Sequence, residues 1–380
     1  MFVENEATLS FNDDKKDKPI KYKPLDNNGL AKQSDEHVHL VVVGMSKMGV
    51  ALALEAAHIC HFPNFTEKGI RTRITFIDNQ ASQEMNFFKG RFKDMFEIAR
   101  WRYIKADDYT IPGLFNKTRD EIYNETATWR DPLKDSASES AYKHLAINGE
   151  SFLDIEWEFI EGSLECPSVQ HYLTLAAQDN NSLLTVAICL PQAHQATAAG
   201  IYMPREVYIN AQQVLIYQRE SAEIVNTMDN EKIRPFGMLE CCYNLANDDK
   251  AFRQAKLVNF VYCTYNNDKE KAKIHEEEKI DTITDKAEEF WAKCTVEDIW
   301  SNFYSANSIP SKLRAYDIAT ADYTTMGNTI DSSITSFATV EHNRWNVEKL
   351  LTGFRPLTKD ESDTLESLLK KAAYTCESHL

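Results

Sequence analysis

The residues with the clearest chemical potential are Gly44-Met45-Ser46-Lys47-Met48-Gly49, which directly follow the apolar run Val38–Val43. A glycine turn between a buried strand and a helix brings backbone N–H groups up to a pyrophosphate, and the helix N-terminus adds positive potential. Gly44 supplies the tight turn, and Gly49 lets the helix pack closely on the strand. Ser46 stands where the pattern G-x-G-x-x-G has its middle glycine. A small hydroxyl side chain therefore occupies the point of closest approach, which weakens phosphate binding without abolishing it. Asp78 ends a second apolar run, Arg73–Ile77, and Asn79 follows it. An acid there would hold ribose hydroxyls; its gap from Gly44 exceeds the usual ~20 residues, and Pro63–Gly69 fits as the extra loop. Gly44 and Gly49 also have P-loop spacing, but Val50-Ala51 stands where Lys-Ser/Thr is required.

Other constellations are weaker. Tyr265-x-x-x-Lys269 has the spacing of a hydride-transfer pair, but it lies at the edge of a charged stretch, outside the strand-rich part. No Gly-x-Ser-x-Gly occurs, and no Ser-His-Asp or Cys-His arrangement has a local signature. His58 and His61 would sit one helical turn apart, but no third ligand follows, so they read as structural. The eight cysteines are scattered without Cys-x-x-Cys spacing, which fits buried thiols in a reducing compartment.

The C-terminal segment holds the most distinctive words: Trp300 to Pro310, then Lys312-Leu313-Arg314, and later Val340-Glu341-His342-Asn343-Arg344-Trp345-Asn346, closing at Gly353-Phe354. On a helix, Glu341, Trp345 and Glu348 share one face, with His342 and Asn346 beside it. Gly353 fits a helix C-terminal glycine. Trp345 reads first as the core anchor of a small helical domain, since large aromatics are mostly buried. Glu341 and Arg344 then tie helices together. The other reading is a stacking surface for a planar ligand such as adenine, with Asn302, Lys312, Arg314 and His342 as polar partners.

These groups need elements to position them. The chain has 380 residues, 43% hydrophobic and 26% charged, enough for two or three domains and a sizeable core. Its 42 Lys and Arg against 58 Asp and Glu give a net charge of −16. That argues against nucleic acid or an anionic membrane surface as the main partner. The longest apolar run, Leu183–Leu190, is far short of a membrane span. No signal peptide is expected in the polar N-terminus, and a cytoplasmic location follows as an expectation.

Residues 1–36 read as a disordered leader or linker. Strands are expected at Val38–Val43, Arg73–Ile77, Ile155–Ile160, Leu183–Leu190, Gln213–Tyr217 and Ile233–Met238, with helices between them. Residues 79–150 break that rhythm and read as an insertion, with Phe87–Tyr103 helical. The alternation implies an α/β fold with a doubly wound, parallel, Rossmann-like sheet over 37–240. A helical, charged connector over 241–285 and a small all-α domain over 286–380 follow.

The strand–Gly turn–helix–strand–Asp78 arrangement resembles the TrkA-N or RCK domain, which regulates potassium channels and transporters. The resemblance covers about residues 37–225. It implies an adenine nucleotide of the NAD or ATP/ADP type, held at Gly44, Ser46, Lys47, Met48, Gly49, Asp78 and Asn79. That family's Gly-Asp turn after strand three matches Gly162-Ser163, with serine for aspartate. The Glu341-His342-x-Arg344-Trp345 helix closed by Gly353-Phe354 resembles the ryanodine-receptor repeat (RyR) domain over about 286–380. Bacterial proteins join the two. The RyR family continues into a second helical hairpin, so the end at Ser378-His379-Leu380 reads as a truncated or shortened domain. Together the resemblances imply a non-enzymatic nucleotide sensor, a homodimer, and a channel or other effector as partner. An NAD(P)-dependent oxidoreductase and a scaffold with an empty cleft are the alternatives.

Overall fold

The computed structural model describes residues 6–8, 19–106, 128–219, 232–237, 245–265, 280–318 and 323–365. Two short strands, β1 (Glu6–Thr8) and β2 (Pro19–Lys21), pair antiparallel. The central sheet has seven parallel strands: β3 (His37–Val43), β4 (Thr72–Asp78), β5 (Arg100–Lys105), β6 (Ile155–Glu161), β7 (Ser182–Ile188), β8 (Gln213–Tyr217) and β9 (Ile233–Phe236). Their order is β5-β6-β4-β3-β7-β8-β9. The expected doubly wound α/β sheet is present.

Alternation along β3 explains why the sheet is covered on both faces. Leu40 and Val42 join one core with Phe76, Trp157 and Phe159. Val41 and Val43 join the other with Ile77, Ile160 and Val186. Helices α1 (Lys47–Ile59), α3 (Ala81–Arg91) and α4 (Lys93–Phe96) cover the first face. Helices α5 (Pro167–Gln178), α6 (Ala193–Ile201) and α7 (Arg205–Asn210) cover the second. The short α2 (Asn64–Lys68) leads from α1 toward β4.

The insertion has an outcome of its own. With β5 set aside, the remaining strands run 3-2-1-4-5-6 in chain order, the dinucleotide-binding order. Residues 79–150 therefore add an edge strand to that sheet. The expected single helix over Phe87–Tyr103 is corrected. Phe88, Phe92 and Phe96 pack near Trp157 and Phe159, and the chain then turns extended into β5. An arginine inside this strand is tolerated because Arg102 meets the buried Glu158 of β6.

The disordered-leader expectation is also corrected over 22–36. Leu25 and Leu30 are fully buried, and Asp26 accepts two hydrogen bonds from Arg314, at 2.7 and 3.0 Å. The segment also passes close enough to the helical layer that a side chain at Gly29 would strike the Arg314 backbone.

That layer comprises α8 (Leu245–Tyr265), α9 (Ile280–Trp291), α10 (Val296–Ala315) and α11 (Tyr323–Leu351). A Thr295–Asp298 capping box starts α10. The expected Gly353 stop is met: its φ is +93°, and Phe354 N–H donates to Lys349 O at 2.9 Å. Val347 and Leu350 of α11 belong to the sheet's own core, and both α10 and α11 pack on α1.

Candidate functional site

The strand order reverses at β3, whose neighbours are β4 and β7. In open α/β sheets, ligands bind outside the C-terminal strand ends at such a switch point. The first group of candidates lies along this edge. Gly44 has φ +93°, and its N–H donates to Ile77 O at 2.8 Å. A side chain on Gly49 would lie 2.2 Å from Gly44 O, so only glycine lets α1 start this close to β3.

Ser46 is the N-cap of α1. Its Oγ accepts from Gly49 N–H at 3.2 Å and donates to Cys189 O at 2.7 Å. The serine in place of the middle glycine thus caps the helix and ties the turn to the end of β7. Asp78 Oδ2 accepts from Met45 N–H, and Oδ1 from Gln80 N–H, both at 2.8 Å. The acid therefore braces the glycine turn, and each carboxylate oxygen keeps a second acceptor lone pair. Lys47 and Met48 form the first turn of α1, where N–H groups have no intrahelical acceptor. Asn79 is exposed beside Asp78. Gly162 N–H donates to Asp78 O at 3.0 Å, and Ser163 Oγ accepts from Glu165 N–H at 3.2 Å. The sequence candidates of the α/β part thus share one edge of the sheet.

The C-terminal candidates separate into different roles. Glu341, Arg344 and Lys312 form an ion network between α10 and α11. Arg344, 1% exposed, donates to Glu341 at 3.0 Å and to Glu348 at 2.6 Å. Lys312 Nζ pairs with Glu341 and also donates to Ser308 Oγ at 2.9 Å. Burial works against the Glu341 carboxylate, but Lys312 and Arg344 outweigh it and hold its pKa down to about 2. Lys312 is itself pulled below the lysine range, because its burial outweighs the attraction of Glu341. The expectation that Glu341 and Arg344 tie helices is met for Glu341, which bonds Lys312 and Ser305 of α10, whereas Arg344 pairs within α11. Arg314 serves Asp26, and Asn302 donates to Asn259 Oδ1 and Asp298 O, so neither joins a common pocket with the others.

Trp345 is 45% exposed. The core-anchor expectation is therefore corrected: Val347 and Leu350 take the inward positions of α11, and Trp345 with His342 lines a cavity at the opposite edge of the sheet. Asn343 and Phe354, from the distinctive C-terminal run and its closing turn, line it too, as do Phe65 and Phe152, which were not singled out in the sequence. No local signal could have found Phe65 and Phe152, since the walls come from three distant segments.

His58 and His61 are structural. His61 Nδ1 contacts Asp154 at 2.9 Å and Nε2 contacts Ala57 O at 2.8 Å, so both nitrogens are engaged. His58 stacks on Tyr304 of α10, with centroids 3.7 Å apart. Burial, then the charges of Arg344 and His61, push its pKa down to about 3. Among the described residues, no group of three His, Cys, Asp or Glu is placed to hold a metal, and no helix is long and apolar enough to cross a membrane. Lys269, half of the hydride-transfer pair, lies outside the described residues, as does the side chain of Tyr265. No family model matches the chain, and neither a curated protein nor a solved structure shows significant similarity to it.

Proposed function

We propose that this chain is a non-catalytic regulatory protein that senses an adenine nucleotide, of the NAD or ATP/ADP type, in the switch-point crevice. The observation that carries the reading is the convergence of three features on one strand edge: the Gly44–Ser46 turn, the first turn of α1, and Asp78 at the end of the neighbouring strand. Backbone N–H groups of Lys47 and Met48 would meet the phosphates, Asp78 the ribose, and Gly162-Ser163 would form the far rim. The sensing role draws support from α1, which starts at the crevice and ends against Tyr304 and Ser311 of α10. The resemblance to channel regulators extends the proposal to a homodimer that controls an ion channel or another effector.

The Ser46–Cys189 bond favours a second reading, a scaffold whose cleft is bridged shut. Calorimetric titration of the full chain with NAD, ATP and ADP-ribose separates the two. The sensor reading expects saturable binding by wild type, lost in a folded Asp78→Ala variant. Absence of binding by all three compounds refutes it and leaves the scaffold.

A further inference from the structure

We infer that the cavity between α2, the segment before β6 and the last turns of α11 binds an uncharged, planar nitrogen heterocycle stacked on Trp345. The cavity measures about 840 Å3, within the range of small-molecule sites. It is independent of the crevice. Phe65 and Arg71 in its wall precede β4, whereas Asp78 ends that strand, so seven residues at about 3.3 Å each separate the two sites.

Three observations define the ligand. The first is an aromatic floor. The half-exposed Trp345 indole lies near-parallel to His342, at 18° with centroids 6.0 Å apart. The Lys349 ammonium sits 5.9 Å from the Trp345 ring and 5.0 Å from Phe354. A flat ring stacks well on such a surface.

The second is an unused donor. Asn343 lines the cavity and is only 8% exposed, yet its amide nitrogen has no acceptor among the described residues. A buried donor left unpaired is costly, and an acceptor on the ligand would satisfy it. Asn346 lies one turn further along the same wall and brings a second amide. Each amide offers a donor and an acceptor together, which matches the edge of a heterocycle that carries both.

The third is charge. Four of the five charged side chains of the wall are ion-paired. Glu67 pairs with Lys32, Glu150 with Lys134, Arg355 with Glu361 and Lys349 with Glu348. The Arg71 guanidinium donates to the carbonyls of Gly69, Ser151 and Leu153. An anionic ligand would have to compete with the carboxylates of Glu348 and Glu361 and with the carbonyls on Arg71, so the fit is to a free base or nucleoside in preference to a phosphorylated one.

The test uses the full chain and saturation-transfer NMR with adenosine, guanosine, caffeine and AMP at about 1 mM, which detects millimolar affinities. Transfer to the aromatic protons of at least one uncharged purine is expected. Its affinity should fall by about tenfold or more in Trp345→Ala, the scale of a lost base–aromatic stack. Asn343→Leu should weaken it comparably, while Trp345→Phe, which keeps a stacking ring, and Asp78→Asn should retain it. Wild-type-like thermal unfolding of Trp345→Phe and Asn343→Leu confirms that the fold is kept. The inference is overturned by any of three results: no transfer from any uncharged probe, undiminished binding in both Trp345→Ala and Asn343→Leu, or AMP binding more tightly than adenosine by about tenfold. Loss of binding in Asp78→Asn alone would place the probe in the crevice and equally refute it.

Discussion

His58 joins α1 to the helical layer through its stack on Tyr304, and it does so as a neutral ring. Its pKa is about 3 in the folded chain against 6.5 for an unperturbed histidine. A depressed folded pKa means that the unfolded chain takes up the proton first. The stability contributed by neutral His58 is therefore complete above pH 6.5 and is lost as pH falls from there toward 3. Each pH unit within that window costs about 1.4 kcal/mol, so a drop from pH 6.5 to 5 removes about 2 kcal/mol. Replacement by phenylalanine keeps a ring on Tyr304 and abolishes the titration. It also removes Nδ1, a buried atom without a hydrogen-bond partner among the described residues, so His58→Phe should be no less stable than wild type at pH 7. Urea unfolding of both proteins, followed by tryptophan fluorescence at pH 7, 6 and 5, isolates the effect, because other titrating groups cancel in the difference. Wild type should lose about 2 kcal/mol more than the variant by pH 5. Equal losses would refute the reasoning and show that His58 is already solvated or already charged.

Gly49→Ala should destabilise the chain by about 3 kcal/mol in thermal or urea unfolding, because the added carbon meets backbone at 2.2 Å. Gly69→Ala, with φ +68° and open space around it, should cost only about 1 kcal/mol. Arg344→Met leaves Glu348 buried without its closest cation and should cost about 3–5 kcal/mol. Adding Glu348→Leu should recover much of that loss, and a double-mutant cycle reads the coupling directly. Arg314→Ala strands the buried Asp26 and should raise hydrogen exchange across residues 22–36, while exchange in β3 and β4 stays slow.

The parallel sheet was legible because its central strands β3 and β7 are mostly apolar, and the crevice because Gly44 and Asp78 sit at strand ends, with Gly49 in the first turn of α1, in one short stretch of sequence. What escaped depends on partners far away in the chain. The strand β5 carries Arg100 and Arg102, residues that no local pattern assigns to a sheet. Their acids, Glu156 and Glu158, lie on β6, beyond the intervening insertion. Residues 22–36 contain few apolar side chains, and the partner of their buried Asp26, Arg314, is 288 positions away. Helical periodicity put Glu341, Trp345 and Glu348 on one face but could not say what that face meets. The structure buries Glu348 and leaves Trp345 half exposed, because α11 rests on α1 along Val347 and Leu350. The cavity was illegible for the same reason: residues 65–71 and 145–152 become its walls only once β4 and β6 pair.

This packing also constrains how the two proposed sites could communicate. Helix α1 has 13 residues and is about 20 Å long. Its first turn borders the crevice, and its last turn carries His58 and Ile59 into α10, where Ser311 Oγ donates to Ile59 O at 3.4 Å. The cavity borders α11 from Thr339 to Leu350, and α11 packs on that same helix α1. A ligand at either site therefore has one shared element to act on, the seat of α1 against α10 and α11. Close-packed interfaces of this kind switch between discrete arrangements instead of deforming smoothly. If each ligand prefers a different seat of α1, each must alter the other's affinity by the same factor, because linkage is reciprocal. If α1 holds one seat, the two affinities are independent. Titrating one ligand in the presence of the other distinguishes these cases. His58→Phe serves as the perturbation of choice, because it alters the α1–α10 contact without touching a residue that lines the cavity or rims the crevice.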